Sequence, residues 1–159
     1  MRAADSSDQT GYFKISGMLF MLERKPVFPN IIEVNHQLGQ VLGCNVYVVF
    51  DGEQWVIIDI GYEDSVDEII NMIREIDLPF SGCQSLIATH ADVDHIQGLA
   101  KAKQILRTSV SAHPLAASAL ESGDRIKTFA LIEAQGIDMA MPPVEIENLI
   151  NEGDKIKVG

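Results

Sequence analysis

Between Leu86 and Gly98 the chain reads LIATHADVDHIQG. An apolar run leads in, two histidines and two aspartates crowd into His90 to His95, and apolar residues at helical spacing follow. A buried strand over Ser85 to Thr89, a polar loop and a helix over Ile96 to Leu106 account for that order. Open α/β sheets gather ligands beyond the carboxyl ends of such strands. Alternate side chains of an extended loop share one side, so His90, Asp92 and Asp94 are expected to converge while Ala91 and Val93 turn into packing. Asp94 suits the N-cap of the helix, which swings His95 to the adjacent side. Four ligands approaching from two directions suit two ions, about 3.5–4 Å apart, better than one. Taken singly, each aspartate reads as a turn residue and each histidine as an ordinary surface side chain. Together, between a strand and a helix, the four read as a metal site.

The rest of the chain supplies a frame for that loop. Tyr12 to Leu22 and Ile31 to His36 read as strands, separated by a turn region at Pro26 and Pro29. Cys44 to Phe50 and Trp55 to Ile60 are β-branched and aromatic runs, and the Asp51-Gly52 pair between them marks a hairpin. Val66, Ile69, Ile70, Ile73 and Ile76 then recur at helical spacing, with Ser65 and Glu68 placed for a capping box and Leu78-Pro79 as the stop. Ser109 to Ala112 reads as a short strand, and His113-Pro114 opens another helix. Lys127 to Gln135 is expected to be helical and Asp154 to Val158 to be a strand. Strands followed by β-α-β alternation predict an α/β (α+β) domain with a mixed sheet flanked by helices. Residues 1–11 are expected to be a polar tail and 12–159 the domain.

Charge and composition narrow the function. A net charge of −11 opposes contact with nucleic-acid phosphates, but it leaves room for a site where metal ions supply the positive charge. No apolar run approaches the ~20 residues a bilayer needs. The polar start MRAADSSDQTG lacks the apolar centre of a signal peptide, so a cytoplasmic protein is expected. Cys44 and Cys83 lack CxxC spacing and sit among apolar or small neighbours, which predicts buried thiols rather than a disulfide.

Thr-His-x-x-x-Asp-His-x-x-Gly after a buried strand resembles the metallo-β-lactamase superfamily, whose signature is His-x-His-x-Asp-His. The run Asn45-Val-Tyr-Val-Val, a turn, then Val56-Ile-Ile-Asp59-Ile-Gly61 resembles that family's early hairpin. The likeness covers about residues 31–159. It implies an αββα sandwich, of which this chain covers about the first half. It also implies that His90 and Asp92 serve one metal and Asp94 and His95 a second. Asp94 would in addition hold the nucleophile as the catalytic residue, and Asp59 would orient the ligands from behind. His36 and His113 match no ligand position, and structural roles are expected for both.

Two departures from the family pattern carry consequences. Asp92 stands where most of the family has histidine. A carboxylate adds negative charge and a harder donor, which makes a bound water less acidic and moves preference from zinc towards iron or manganese. The flavodiiron branch resembles this chain in having an acidic residue there. Further family ligands come from later segments, yet no histidine follows His113. Asn151 to Gly159 resembles the strand before the family's Pro-Gly-His loop. The expectation is a truncated or proteolysed product, incomplete and inactive as 159 residues, with an exposed sheet face that a partner covers or that self-associates.

The resemblance implies a metal-dependent hydrolase with two divalent metal ions, acting on a small ester, thioester or lactone through metal-bound hydroxide. A di-iron oxidoreductase is the first alternative, and a non-catalytic relic or interaction module the second.

Overall fold

In the computed structural model, which describes residues 13–15, 18–20, 24–35 and 44–159, the hairpin around Asp51-Gly52 anchors a larger sheet. Strands β1 (Phe13–Ile15) and β2 (Met18–Phe20) pair antiparallel with each other. The 1–11 tail, the remainder of the Tyr12 to Leu22 strand, and His36 lie outside the described residues. β3 (Lys25–Phe28), β4 (Ile31–Asn35), β5 (Val46–Asp51) and β6 (Gln54–Ile58) run as an antiparallel meander. Pro26 belongs to the edge strand β3, where a missing N–H costs little; the turn falls at Pro29-Asn30, with Asn30 at φ 69°.

Beyond β6 the sheet changes sense. β7 (Cys83–Ala88) joins β6 in parallel, and β8 (Ser109–Ala112) joins β7 in parallel. The parallel crossovers are made by α1 (Val66–Glu75) and by α2 (Val93–Ile96) with α3 (Leu99–Leu106). After β8 come α4 (Pro114–Ser122), the antiparallel pair β9 (Leu131–Ile132) and β10 (Ile137–Asp138), and the edge strand β11 (Asn148–Leu149), parallel to β8.

One face of this mixed sheet builds the core. Val48, Ile57, Leu86 and Val110 are successive partners across four strands, and all four are fully buried. α1 places Val66, Ile69, Ile70 and Ile73 against them. Trp55 is fully buried, its indole N–H donating to the Pro79 carbonyl at 2.7 Å. The opposite face carries half-buried Tyr47, Val49, Ile58 and Ile87, and a Ser85–Ser111 hydroxyl contact of 2.6 Å. Gly159 ends beside Asp51 at the β5–β6 turn.

Several expectations are corrected. Ser65 has helical φ/ψ inside a preceding 3₁₀ turn, so its hydroxyl turns back to the Tyr62 carbonyl at 2.9 Å and no capping box forms. α1 ends at Glu75, ahead of Leu78-Pro79, where Asp77 takes a left-handed φ of 58°. Lys127 to Gln135 is not an α-helix: Phe129 has φ 56°, Ile132 is extended, β9 finds a partner in β10, and only Glu133–Gln135 makes a short 3₁₀ turn. Asp154 to Val158 forms no strand; the edge position beside β8 is taken by Asn148–Leu149.

The predicted helix over Ile96 to Leu106 is split at Gln97-Gly98. Gly98 donates its N–H to the Gly61 carbonyl at 2.9 Å, drawing α3 against the loop that leaves β6. A Cβ at residue 98 would stand 2.5 Å from Val66 Cγ2 and 3.2 Å from the Tyr62 carbonyl oxygen. Gly98→Ala should therefore lower stability by about 1–3 kcal/mol through overpacking, read as a fall in thermal midpoint; an unchanged midpoint would show that the two segments part without cost.

Candidate metal centre

Strands β6 and β7 end side by side, and the chemistry collects where they end. Asp59 directly follows β6; its N–H still joins the parallel ladder, donating to the Ile87 carbonyl at 2.8 Å, while its φ of 56° swings the carboxylate out of line. Aspartate is among the few non-glycine residues that tolerate this conformation. Asp59 is only 5 % exposed. Its Oδ1 accepts from the Thr89 N–H at 2.9 Å, and its Oδ2 accepts from the Thr89 hydroxyl at 2.7 Å. The same Oδ2 lies 2.9 Å from His95 Nδ1. A carboxylate only accepts, so His95 Nδ1 carries a proton, and in the neutral ring Nε2 then keeps the lone pair.

Backbone bonds lace the rest of the site together. The N–H groups of Ile60 and Gly61 both donate to the His95 carbonyl, at 3.0 and 3.1 Å. Val93 donates to the Thr128 carbonyl at 2.8 Å, tying the start of α2 to the turn after α4. Val93 is buried and Ala91 packs on the core, as alternation requires. The N-cap position is Asp92, not Asp94, because the helix begins at Val93, two residues earlier than an Asp94 cap requires; Asp94 sits in its first turn. Asp92 is extended at φ −74°, ψ 136° and its side chain makes no capping bond.

Four side chains form two pairs. His90 Nε2 stands 3.5 Å from Asp92 Oδ2, and His95 Nε2 stands 3.9 Å from Asp94 Oδ2. The imidazoles lie 4.0 Å apart between centroids, tilted by 55°. Donors held ~2.0–2.2 Å from one ion at tetrahedral angles are about 3.4 Å apart, so each pair fits a shared cation with little movement. Among the described residues, the ion pairs of Asp59, Asp92 and Asp94 are with these two histidines alone. Three carboxylates set against two imidazoles concentrate acceptors where an ion of opposite charge would be favoured.

Asp59, His90 and His95 also offer atoms within 4.8 Å of one another, a grouping compatible with one ion. Both Asp59 oxygens are engaged by donors, from Thr89 and His95; Asp92 and Asp94 lie outside that grouping. A shallow groove of about 420 Å³ lined by Ala100, Lys103, Arg107 and Glu145 contains none of these groups.

Thr89 and Tyr62 are near neighbours that spacing alone does not single out. Thr89 could have been suspected as the first residue past the strand. Burial, then the charge of Asp94, raises the Tyr62 phenol above its ordinary range. His113 takes a different place as the N-cap of α4, its Nδ1 accepting from Leu115 N–H at 3.2 Å.

Comparison with known proteins follows from this geometry. The family model described as the metallo-beta-lactamase superfamily matches residues 39–159. Among solved structures, the chain is similar to BJP-1, a subclass B3 metallo-beta-lactamase of Bradyrhizobium japonicum, at 23% identity and TM-score 0.69, covering 86% of this chain and 48% of that one. It is also similar to a Cronobacter sakazakii metallo-beta-lactamase with a HARLDQ motif, at 19% identity and TM-score 0.70, covering 86% and 49%. A third, described as the first B3 metallo-beta-lactamase with an active-site glutamic acid, shares 20% identity at TM-score 0.71, covering 86% and 48%. The chain thus spans about half the length of the structures it matches.

Neither cysteine is in a disulfide. Burial, reinforced by the carboxylates of Asp59 and Asp94, pushes the Cys44 thiol up to about 12 from an ordinary 9.0. Burial also pushes Cys83 up to about 12. Folding therefore holds these protons more tightly than the unfolded chain does. The resulting stability is full below pH ~9 and is lost as pH rises towards ~12. At pH 8 both thiols should resist a disulfide reagent until denaturant is added; rapid labelling of the native protein would contradict this.

Proposed function

The chain belongs to the metallo-beta-lactamase superfamily, and from that premise we propose that it carries the first metal-binding segment of a metal-dependent hydrolase acting on a small ester, thioester or lactone. The observation that carries this reading is the pairing of His90 with Asp92 and of His95 with Asp94 above the buried Asp59 carboxylate. His90 and Asp92 would hold one divalent cation, and Asp94 and His95 a second. Such ions supply Lewis acidity and make a water nucleophilic near neutral pH. The protein's own groups do the remaining work. Asp59 keeps the His95 ring in one orientation, as hydrogen-bonded partners of metal-ligating histidines generally do. Asp94 has a second carboxylate oxygen with which to accept a proton from, and so orient, the attacking water. The charge of −11 supports a small-molecule substrate over a nucleic acid. No helix among the described residues is long and apolar enough to cross a membrane.

Asp92 bears on metal choice. One structural neighbour is described by an active-site glutamic acid and another by the motif HARLDQ, against HADVDH here. Departure from an all-histidine motif is thus compatible with hydrolysis on this fold. The same acidic residue favours the di-iron oxidoreductase as second reading, since a hard oxygen donor suits iron or manganese.

The test is metal analysis and turnover with the longest natural chain carrying this sequence. Bound zinc or manganese, with ester or thioester hydrolysis that Asp94→Ala lowers by at least about 10²–10³-fold, is the expected result. Two bound irons with reduction of oxygen or nitric oxide would establish the rival instead. Asp92→His should shift the competition between added zinc and manganese towards zinc, measured by dialysis against both metals.

A further inference from the structure

We propose that Thr89 is a positioning residue that sets the tautomer of His90 and couples it to the carboxylate that orients His95. Thr89 is exposed and follows β7 directly. Its hydroxyl lies 2.7 Å from Asp59 Oδ2 and 2.8 Å from His90 Nδ1. A hydroxyl has one proton to give and two lone pairs with which to accept. Asp59 also accepts the Thr89 N–H and the His95 Nδ1–H, and it has no proton to offer in return. The hydroxyl proton must therefore go to Asp59. That leaves His90 Nδ1 only one favourable role, which is to donate its own proton to the Thr89 oxygen.

The consequence is specific. In the neutral ring His90 then carries its proton on Nδ1 and keeps the lone pair on Nε2, which lies 3.5 Å from Asp92 Oδ2. Asp59 thus aligns both histidines, His95 directly and His90 through one intervening hydroxyl. Without that hydroxyl the His90 ring has no acceptor at Nδ1, and neutral imidazole then favours the proton on Nε2, where it blocks a cation. His113 provides an internal contrast, because its Nδ1 accepts from the Leu115 N–H and so the proton belongs on Nε2. The effect on metal binding rests on the metal-site reading above; the tautomer does not.

Two-bond ¹H–¹⁵N spectra of the metal-free protein at pH 8, above the ordinary histidine range, read the tautomers directly. Wild type and Thr89→Ser should show His90 protonated on Nδ1 and His113 on Nε2. Thr89→Val, and Thr89→Ala as a second variant without the branched methyl, should move the His90 proton to Nε2 while leaving His95 and His113 unchanged. Zinc affinity by chelator competition should fall about 10–100-fold in the valine and alanine variants, and serine should restore it. An Nδ1–H His90 in both the valine and alanine variants would overturn the proposal, as would unchanged zinc affinity alongside a switched tautomer. If wild type binds no zinc, the metal-site reading fails while the tautomer result still decides the role of Thr89.

Discussion

A buried carboxylate in a left-handed turn governs this site. Asp59 sits at the end of a strand in a conformation that most side chains resist, and it is almost wholly removed from water. Burying an ionised carboxylate is expensive unless donors surround it. Here a backbone N–H, a hydroxyl and an imidazole N–H all point at it, from residues 30 to 36 positions away in sequence. Those donors are reached only if β7 lies parallel to β6 in the observed register and α2 turns back over both. The carboxylate therefore rewards the tertiary fold as well as the local loop. Removing it would leave several polar groups without partners, at roughly 1–3 kcal/mol for each buried one.

The sheet explains why the cluster forms at this end. β6 is antiparallel to β5 on one side and parallel to β7 on the other. Parallel neighbours need helical crossovers, so the loops leaving β6 and β7 both emerge at the carboxyl end and face the start of a helix. The start of β5 lies at the same end, which is why the Cys44 thiol feels the charges of Asp59 and Asp94. The Ile60 and Gly61 bonds to the His95 carbonyl, and the Gly98 bond back to Gly61, then close the two loops on each other. The side chains of the candidate site are thus held by strand ends and helix starts rather than by a free loop, which limits their excursion to what small rotamer changes allow.

Much of this was legible before the structure. The change from period two in β5 and β6 to helical spacing in α1, and the apolar run into Thr89, gave the order of the main elements. The pairing of His90 with Asp92 follows the alternation of an extended loop. What stayed hidden depends on long-range geometry. That Ser65 would belong to a 3₁₀ turn, or that the chain would break at Gly98, requires knowing which backbone passes 3 Å away. Lys127 to Gln135 has helix-compatible residues, but Thr128 is committed to α2 through its carbonyl and Phe129 is driven to positive φ. Tertiary commitments of that kind override local propensity. Thr89 lies within the motif, yet the role proposed for it depends on a proton count among groups that only the fold assembles.

On the proposed metal-site reading, Asp92 would let this scaffold change its metal preference without changing shape. The residue is extended at the N-cap, and its side chain is not spent on the helix N–H groups. Its backbone conformation is common to all ordinary residues, so histidine and aspartate can both occupy the position at no conformational cost. The difference falls on the donor. Histidine would bring a neutral nitrogen; aspartate brings a carboxylate oxygen 3.5 Å from His90 Nε2, beside the grouping of Asp59, His90 and His95. More local negative charge would strengthen attraction for any divalent cation, but it would also offset the cation's charge, so that a bound water is acidified less than with neutral ligands. Affinity and water acidity thus move in opposite directions at this one position. Asp92 takes no part in the hydrogen bonds of Asp59, which go to Thr89 and His95, so on this reading the choice of metal would be separate from the architecture that positions it.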